Sequence, residues 1–335
     1  MVLIIGASSF IGVHTVAEYL SHGVKVAVTG RNNKFKEHYD QFGVDYYNLD
    51  LATKDDFEQL PKEGVEGVIL LAGLLPANAE VDLDKDENAA DYFRINVMGT
   101  INVLEYCRKN SIGRVISACS YADVKNAWSK DKALTEEEPR SFSYKGDHAV
   151  YVISKNAAND VMEYYNQQHG MKNAWFRFPP VYGAGPHGSL FVNGKEYKSG
   201  LQIFMDNAAE GKDICVYGDS SISRDVVSVK DVARAYYQAM FSDKTYGLYN
   251  ITSGRAVTLK EQAEVIAEVF RTESKNQSKV VLMPEKVNNS ESYLFSIEKA
   301  HKDFGYEPQF ADFKAMMADW KRDIDNNLYR ELFHY

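Results

Sequence analysis

The sequence is poor in the features that mark several classes of protein. Its three cysteines, Cys107, Cys119 and Cys215, form no C-x-x-C pair, so we expect neither a disulfide framework nor a thiolate zinc site, and free thiols favour the reducing cytoplasm. The eight histidines show no H-x-x-x-H spacing, and we predict no metal site. No window of about 18 apolar residues occurs, and the first residues lack the basic region of a signal peptide, so we expect neither membrane insertion nor secretion.

Positive charge is also in short supply. Lys and Arg number 38 against 47 Asp and Glu, which gives a formal net charge of −9. A nucleic-acid partner is therefore not expected, because binding to phosphates requires a cationic surface. Hydrophobic residues make up 45% and charged residues 25%, a balance typical of a folded globular chain, and 335 residues suffice for two domains.

Short apolar runs alternate with amphipathic stretches through the first half of the chain. We predict strands at 2–5, 24–29, 44–47, 68–71, 115–118 and 174–178. We predict helices near 10–20, 53–60, 89–110, 148–168, 201–210, 230–241, 258–270 and 310–327. Continuous apolar strands alternating with helices indicate a parallel sheet covered on both faces, the doubly wound α/β pattern. The polar stretch 120–147 is predicted as a surface loop, with Asp147 as the N-cap of the next helix.

A glycine-containing turn follows the first strand and leads into a helix. Gly6 and Gly12 match G-x-x-G-x-x-G, with Ser9 at the middle glycine. Small residues let the backbone approach a pyrophosphate, and the helix N-terminus supplies N–H groups. We therefore predict dinucleotide binding, the alternative being a tight turn without a ligand. The predicted cofactor contacts in this turn are Gly6, Ser8, Ser9, Phe10, Ile11 and Gly12.

Two later positions bear on which dinucleotide binds. The second strand ends at Arg31-Asn32 and lacks the carboxylate that would bind the ribose 2′-hydroxyl of NAD. Arg31 suits a 2′-phosphate instead, which favours NADP, with NAD and a merely solvated arginine as the alternatives. Asp50-Leu51 follows the third strand and is predicted to contact the adenine; an ordinary helix cap is the other interpretation.

Tyr151 and Lys155 form a Y-x-x-x-K pair on one face of a predicted helix. A tyrosine has a pKa of about 10, and an ammonium nearby lowers it toward the range that acid/base catalysis requires. Because a lone Y-x-x-x-K is weak, the position matters: Ser120 ends the preceding strand, where side chains face the nucleotide crevice. We predict that Ser120, Tyr151 and Lys155 converge there.

Several motifs in the expected order resemble the extended short-chain dehydrogenase/reductases, specifically the nucleotide-sugar epimerase/dehydratase group of the UDP-galactose 4-epimerase-like type. The resemblance covers essentially the whole chain. The matching segments are Gly6–Gly12, Asp50-Leu51, Leu71-Ala72-Gly73, Asn96-Val97-Met98-Gly99-Thr100, Arg177…Val181-Tyr182-Gly183, Tyr217-Gly218-Asp219…Arg224-Asp225 and Gly305-Tyr306-Glu307-Pro308.

The resemblance implies a Rossmann-type sheet with a smaller C-terminal α/β substrate-binding region. We expect residues 1–178 to form the NAD(P)-binding domain and 179–335 to bind mainly substrate, with the chain free to cross back to the sheet. The resemblance assigns catalysis to Ser120, Tyr151 and Lys155. It adds Leu71, Ala72, Gly73, Asn96, Tyr151, Lys155 and Val181 to the cofactor site. It also assigns substrate binding to Arg224 and Asp225, and implies a nucleotide-sugar substrate and a homodimer formed through helices 89–110 and 148–168.

Three departures from the group's pattern shape the expected activity. Ser9 replaces a glycine, and Pro180 replaces an asparagine that donates to the nucleotide diphosphate. Tyr121-Ala122 stands where sugar dehydratases carry Asp-Glu, which disfavours dehydration. We therefore predict an NAD(P)-dependent nucleotide-sugar epimerase acting by reversible hydride transfer at a sugar carbon. The alternatives are an NADPH-dependent 4-keto-sugar reductase or dehydrogenase, and a non-catalytic NADP-binding sensor.

Overall fold

The computed structural model describes residues 1–76, 89–146, 148–186, 188–192 and 195–333. Its strands are β1 (Val2–Ile5), β2 (Val26–Gly30), β3 (Asp45–Asn48), β4 (Gly67–Leu70), β5 (Val115–Ser120), β6 (Ala174–Phe178), β7 (Val181–Tyr182), β8 (Ser189–Val192), β9 (Lys195–Lys198), β10 (Ile214–Tyr217), β11 (Ser223–Asp225), β12 (Val227–Ser228), β13 (Gly247–Asn250), β14 (Ala256–Thr258) and β15 (Val280–Met283). Its α-helices are α1 (Phe10–Ser21), α2 (Asn33–Asp40), α3 (Ala89–Tyr92), α4 (Gly99–Lys109), α5 (Ala149–His169), α6 (Gly200–Glu210), α7 (Val229–Phe241), α8 (Leu259–Val269), α9 (Glu298–Phe304), α10 (Phe313–Asp325) and α11 (Arg330–Phe333).

Seven parallel strands form the central sheet, in the order β13-β6-β5-β4-β1-β2-β3. The chain leaves β1 for β2 on one side and reaches β4 on the other, so the direction of winding reverses beside β1. Ligands of doubly wound sheets bind outside the carboxyl ends of the strands at such a reversal. The predicted Rossmann-type α/β fold is confirmed.

Both faces of this sheet are covered, which explains why its strands are apolar throughout. Ile4 of β1 belongs to a core cluster with Val16 and Tyr236, which come from α1 and α7. The neighbouring Leu3 and Ile5 point to the other face, where they join Leu104 of α4 and Met162 of α5. Successive side chains of a strand point to opposite faces, so burial on both sides produces a continuous apolar run.

The later part of the chain has a hydrophobic cluster of its own. Met205 of α6, Ile266 of α8 and Trp320 of α10 pack together there with Ile214 of β10. The chain nevertheless returns to the main sheet, because β13 pairs with β6 in parallel. The division near residue 178 stays a prediction.

Three segments differ from their sequence-based description. The helix predicted over 89–110 consists of α3, a π-helical segment at Phe93–Met98 and α4. The predicted helix near 53–60 is a 3₁₀ helix at Lys54–Gln59, and the predicted loop after Ser120 begins with a 3₁₀ helix at Tyr121–Ala127. Asp147, the predicted N-cap, lies outside the described residues. Such segments depend on tertiary contacts more than on local periodicity.

Two absences concern the described residues only. None of the helices described is long and apolar enough to cross a membrane. Within the same ranges, no group of three or more His, Cys, Asp or Glu residues could hold a metal ion.

Candidate active site at the carboxyl edge of the sheet

The glycine turn is tightly packed against the neighbouring strand end. Gly6 has φ +89°, and a Cβ added to it would lie 2.8 Å from Cα of Ala72. A Cβ on Gly12 would lie 2.5 Å from the carbonyl oxygen of Gly6. Both positions therefore require glycine, and the turn brings the backbone and the N-terminus of α1 to the edge of the sheet. These residues fit the pyrophosphate of a dinucleotide, which needs such a backbone approach.

Ser9 has a structural role in this turn that its small size alone does not suggest. Its Oγ donates to the carbonyl of Gly6 at 2.7 Å and accepts from the N–H of Gly12 at 3.1 Å. Ser9 is thus the N-cap of α1, with extended backbone angles of φ −89° and ψ 163°. The hydrogen bonds of the Ser9 side chain hold the backbone of the turn in place, so the turn does not need a glycine at this position.

The turn also contacts the Pro/Gly-rich stretch after β6. The ring of Phe10 lies so close to Gly185 that a Cβ there would be 2.8 Å from its Cε2. One turn along α1, Nε2 of His14 hydrogen-bonds the carbonyl oxygen of Ala184 at 2.9 Å. Burial lowers the pKa of His14 to about 4, so this contact is made by the neutral imidazole. Val181, a predicted cofactor residue, begins the same stretch and pairs with Val227.

The predicted adenosine end of the site lies at the carboxyl end of β2. Arg31 and Asn32 are both exposed there, and Ser8 lies across from Gly30. Asn32 caps α2 by accepting from the N–H of Lys34 at 2.9 Å, and its backbone N–H donates to the hydroxyl of Tyr46 at 3.2 Å. The exposed guanidinium therefore projects from a rigid segment.

Asp50 and Leu51 are held by local contacts and by the α3–α4 segment. The Asp50 carboxylate accepts from the N–H of Ala52 at 2.9 Å, which is a turn contact and not a helix cap, because the 3₁₀ helix begins at Lys54 with Thr53 as its N-cap residue. Leu51 is buried, and a Cβ on Gly99 would lie 2.9 Å from its Cβ. Asn102 donates to the carbonyl of Leu51 at 2.8 Å.

Asn96 ties the strand end after β4 to the helix that carries Tyr151. Its Nδ2 donates to the carbonyl of Leu74 at 3.1 Å and to Oγ of Ser154 at 3.0 Å, and its Oδ1 accepts from the N–H of Leu74 at 2.8 Å. Asn96 lies in the π-helical segment, where a bulge redirects side chains. Asn96 therefore holds Leu74, the residue that directly follows Leu71, Ala72 and Gly73.

Tyr151 and Lys155 occupy successive turns near the start of α5, on one face of the helix. Burial raises the pKa of Tyr151, and the neighbouring Cys119 and Tyr92 raise it further. Burial lowers the pKa of Lys155 to about 8. The rise in the pKa of Tyr151 is opposite to the lowering predicted from the sequence, because burial and the neighbouring Cys119 and Tyr92 disfavour the phenolate.

Ser120 ends β5, directly after the buried Cys119. Its Oγ caps the 3₁₀ helix by accepting from the N–H of Ala122 at 3.2 Å, and the hydroxyl proton is still available for another acceptor. The thiol of Cys119 contributes to the electrostatics of both Tyr151 and Lys155. The end of β5 is therefore next to the tyrosine–lysine pair.

A buried ion pair supports the 3₁₀ helix after Ser120. Asp123 accepts from Nε and Nη2 of Arg177 at 2.9 and 2.7 Å, and Arg177 also donates to Asn250 at 3.1 Å. Side-chain exposure is 1% for Arg177 and 5% for Asp123. The 3₁₀ helix after β5 is thus joined to β6 and β13.

Arg224 and Asp225 stand side by side on β11 but have different surroundings. Arg224 is partly buried and contacts Oγ of Ser290, and its Nε has no hydrogen-bond partner among the described residues. Asp225 is fully buried and accepts from the hydroxyl of Ser253 at 2.8 Å and from the N–H of Phe295 at 3.2 Å. Burial raises its pKa to about 7. Among the described residues, Arg224 thus keeps one donor without a partner, whereas the Asp225 carboxylate is bonded inside the protein.

The chain matches a known family over most of its length. The model of the NAD dependent epimerase/dehydratase family matches residues 2–252. The chain belongs to the NAD-dependent epimerase/dehydratase family. It is an enzyme of the extended short-chain dehydrogenase/reductase type, which confirms the resemblance read from its motifs.

Curated relatives and solved structures agree with this assignment. The chain is 27% identical over 278 residues to a putative UDP-glucose 4-epimerase of Methanocaldococcus jannaschii, covering 79% of this chain and 81% of the relative. It is 24% identical to the UDP-glucose 4-epimerase of Pisum sativum, covering 95% and 94%. The Thermus thermophilus UDP-glucose 4-epimerase in complex with NAD has a TM-score of 0.73 at 25% identity, covering 96% of this chain and 98% of that one.

Within this family fold, the residues that sequence reasoning missed are those that work over long sequence distances. Asp123 and Ser154 carry no motif of their own, and their partners Arg177 and Asn96 were known only as parts of motifs. Tyr121 was noted only because it replaces an acidic residue. No sequence signal singled out Asp123, because the predicted loop 120–147 contains several other acids.

Proposed function

We propose that this family member is an NAD(P)-dependent nucleotide-sugar epimerase that acts by reversible hydride transfer at a sugar carbon. The observation that supports the proposal most is that Ser120 ends β5 at the same edge of the sheet as the Gly6–Gly12 turn after β1, while Tyr151 and Lys155 are carried by α5, which packs against β5. Arg224 lies on the substrate side of this edge. The relatives named as UDP-glucose 4-epimerases favour a nucleotide sugar as the substrate class.

The chain's own residues supply proton transfer and orientation. The phenolic oxygen of Tyr151 takes the proton of the reacting sugar hydroxyl and later returns it. Positive charge on Lys155 favours the phenolate, opposing the effect of burial on the pKa of Tyr151. The hydroxyl of Ser120 donates to the reacting oxygen and orients it. A nicotinamide cofactor held at the Gly6–Gly12 turn would supply the hydride chemistry at the sugar carbon.

We propose that the cofactor is NADP in preference to NAD. Arg31 is exposed at the end of β2, beside the predicted position of the adenosine ribose. No acid follows Gly30 before α2, and an acid there would repel a 2′-phosphate. Titration of both cofactors into wild type and Arg31→Ala tests this preference. NADP should bind more tightly than NAD to wild type, and the variant should lose that difference.

A homodimer and a cytoplasmic location complete the proposal. Phe93, Met98 and Tyr164 expose 40%, 51% and 55% of their surface on the two segments for which an interface is predicted. Apolar side chains of this size on adjacent helices favour association. The free thiols of Cys107 and Cys119 are buried, consistent with a reducing compartment.

The deciding experiment is a turnover assay with UDP-, GDP-, CDP- and dTDP-sugars. Wild type should convert one of them to its epimer without net consumption of cofactor, whereas stoichiometric consumption of NADPH would instead identify a reductase. Tyr151→Phe should lose about 10²–10⁴-fold in rate, the range for removal of a general acid/base, while still binding cofactor. Conversion of none of these sugars by the folded, cofactor-loaded wild type would refute the proposal.

A further inference from the structure

Three aromatic side chains form a cluster directly behind Ser120. Tyr121 stacks on Trp128 with ring centroids 5.0 Å apart and an interplanar angle of 11°, and Tyr293 meets Tyr121 edge-on at 5.4 Å. The rings of Trp128 and Tyr293 are 4.7 Å apart, so all three are in mutual contact. We refer to Tyr121, Trp128 and Tyr293 as the aromatic cluster.

This cluster joins the catalytic end of the site to Arg224. Tyr121 follows Ser120 in the chain, and the backbone of Tyr293 forms a bridge with that of Arg224. The Arg224 guanidinium and a side-chain hydrogen bond with Tyr293 lower the pKa of Tyr121, opposing the rise caused by burial. Tyr121 is therefore adjacent to Ser120 in the chain and in ring contact with Tyr293, the residue that pairs with Arg224.

A nucleotide sugar has to span the same interval. Its reacting carbon must reach Tyr151, and its diphosphate carries the negative charge that suits Arg224, whose Nε is buried without a hydrogen-bond partner among the residues described. The sugar ring then lies between the two. A group in this interval that is held rigidly and carries a hydroxyl is well placed to contact the sugar.

The position of Tyr121 is fixed by more than ring stacking. The indole Nε1 of Trp128 donates to the carbonyl of Tyr121 at 3.4 Å, and the Asp123–Arg177 ion pair anchors the following turn. Lys125 lies 5.6 Å from the Trp128 ring centroid and 3.1 Å from a carboxylate oxygen of Glu291. Rigid placement of this kind favours selective binding, because little side-chain entropy is lost when a ligand arrives.

We infer that Tyr121 is a specificity-determining residue that hydrogen-bonds the sugar of the nucleotide-sugar substrate. The inference rests on the proposed function, and it adds a contact to the sugar moiety that is separate from the contact of Arg224 with the diphosphate. Tyr121 therefore sets how much more tightly the protein binds a nucleotide sugar than the same nucleotide without its sugar.

Calorimetric titration with matched ligand pairs tests the inference. The pairs are UDP and UDP-glucose, dTDP and dTDP-glucose, and GDP and GDP-mannose, titrated into cofactor-loaded protein. For the pair that wild type binds, Tyr121→Phe should weaken the nucleotide sugar by about 3- to 10-fold, as expected for one hydrogen bond, and leave the nucleoside diphosphate unchanged. Tyr121→Ala should weaken the sugar nucleotide further, since it also removes the ring.

Tyr237→Phe is the matched control, because it removes a phenolic hydroxyl from α7, where Tyr237 stacks on His22 at the far end of α1. It should bind both ligands of the pair as wild type does. The inference is overturned if Tyr121→Phe binds both ligands as wild type does, or loses both equally, at an unchanged melting temperature. If wild type binds none of the pairs, the proposed function itself fails, which is a different result.

Discussion

The turn between β1 and α1 and the aromatic cluster lie at the same edge of the sheet, yet they are built differently. The turn is closed by residues a few positions apart: Ser9 bonds Gly6 and Gly12. In the aromatic cluster, Tyr121 contacts Tyr293 from a distant part of the chain. Asp123, in the 3₁₀ helix that also carries Tyr121, is paired with Arg177 of β6. The comparison teaches that the hydrogen bonds that shape the glycine turn are local, although the turn also packs against Ala72 and Gly185, whereas the contacts that hold the aromatic cluster join distant segments of the chain.

The largest expected effect is on the long-range side. Asp123→Ala leaves the Arg177 guanidinium buried without its carboxylate, which should destabilise the protein by about 3–5 kcal/mol in denaturant unfolding. Asp160→Ala is the control, since the same bidentate geometry to Arg140 lies on the surface and 65% of the Asp160 side chain is exposed. It should cost at most about 1 kcal/mol. Equal losses would mean that burial does not distinguish the two pairs.

The next largest effect concerns the glycine turn between β1 and α1. Gly6→Ala places a Cβ against the backbone of Ala72 at a φ of +89°, and we expect a loss of about 2–3 kcal/mol in the free energy of unfolding, together with weaker cofactor binding. Gly43→Ala has a similar φ of +65° but nothing within 4 Å of the new Cβ. Its cost should be about 1 kcal/mol, from backbone strain alone. A loss at Gly43 as large as that at Gly6 would show that packing against Ala72 is unimportant.

The pH dependence of the free energy of unfolding tests the lowered pKa of Lys155. The pKa of Lys155 is lowered by burial to about 8 from an unfolded value of 10.5, so between these values the unfolded state binds more protons and the free energy of unfolding rises with pH. Cofactor-free wild type should gain about 1–2 kcal/mol over Lys155→Met between pH of about 7.5 and 9.5. Parallel stability curves for the two proteins would contradict a lowered pKa.

The smallest effect sharpens the account of the turn. Ser9→Ala removes the N-cap of α1 and should cost about 1 kcal/mol, whereas Ser9→Gly, which restores the glycine pattern, should cost only a few tenths. Thermal unfolding of the two variants measures the difference. A larger loss for glycine than for alanine would mean that backbone flexibility, not the missing cap, is what Ser9 controls.

Sequence reasoning succeeded where one short segment carries the whole signal. The strand at 174–178 is found at Ala174–Phe178, and the helix predicted at 148–168 is α5, at Ala149–His169. Both have strong periodicity over their full length. It did not anticipate the π-helical segment at Phe93–Met98, because a single π turn inside a longer helix has no residue signature of its own.

The same distinction applies to the residues of the candidate site. The glycine turn and the tyrosine–lysine pair were recognisable because their spacing follows from one helix or one turn. The roles of Asn96 as a clamp and of Asp225 as a buried acceptor were not, since neither residue type specifies its partner. The family resemblance assigned both Arg224 and Asp225 to substrate, but adjacent residues of a strand point to opposite sides, and the Asp225 carboxylate bonds Ser253 inside the protein.

The order of residues alone determined that this protein has a parallel sheet, a glycine turn after its first strand, and a tyrosine–lysine pair on one helix face. Local sterics and helical period suffice for these features. Only the tertiary structure decided that Tyr121, Tyr293 and Arg224 lie together, and that Arg177 is buried against Asp123. Such contacts depend on how strands are ordered and helices packed, and that ordering is a property of the whole chain.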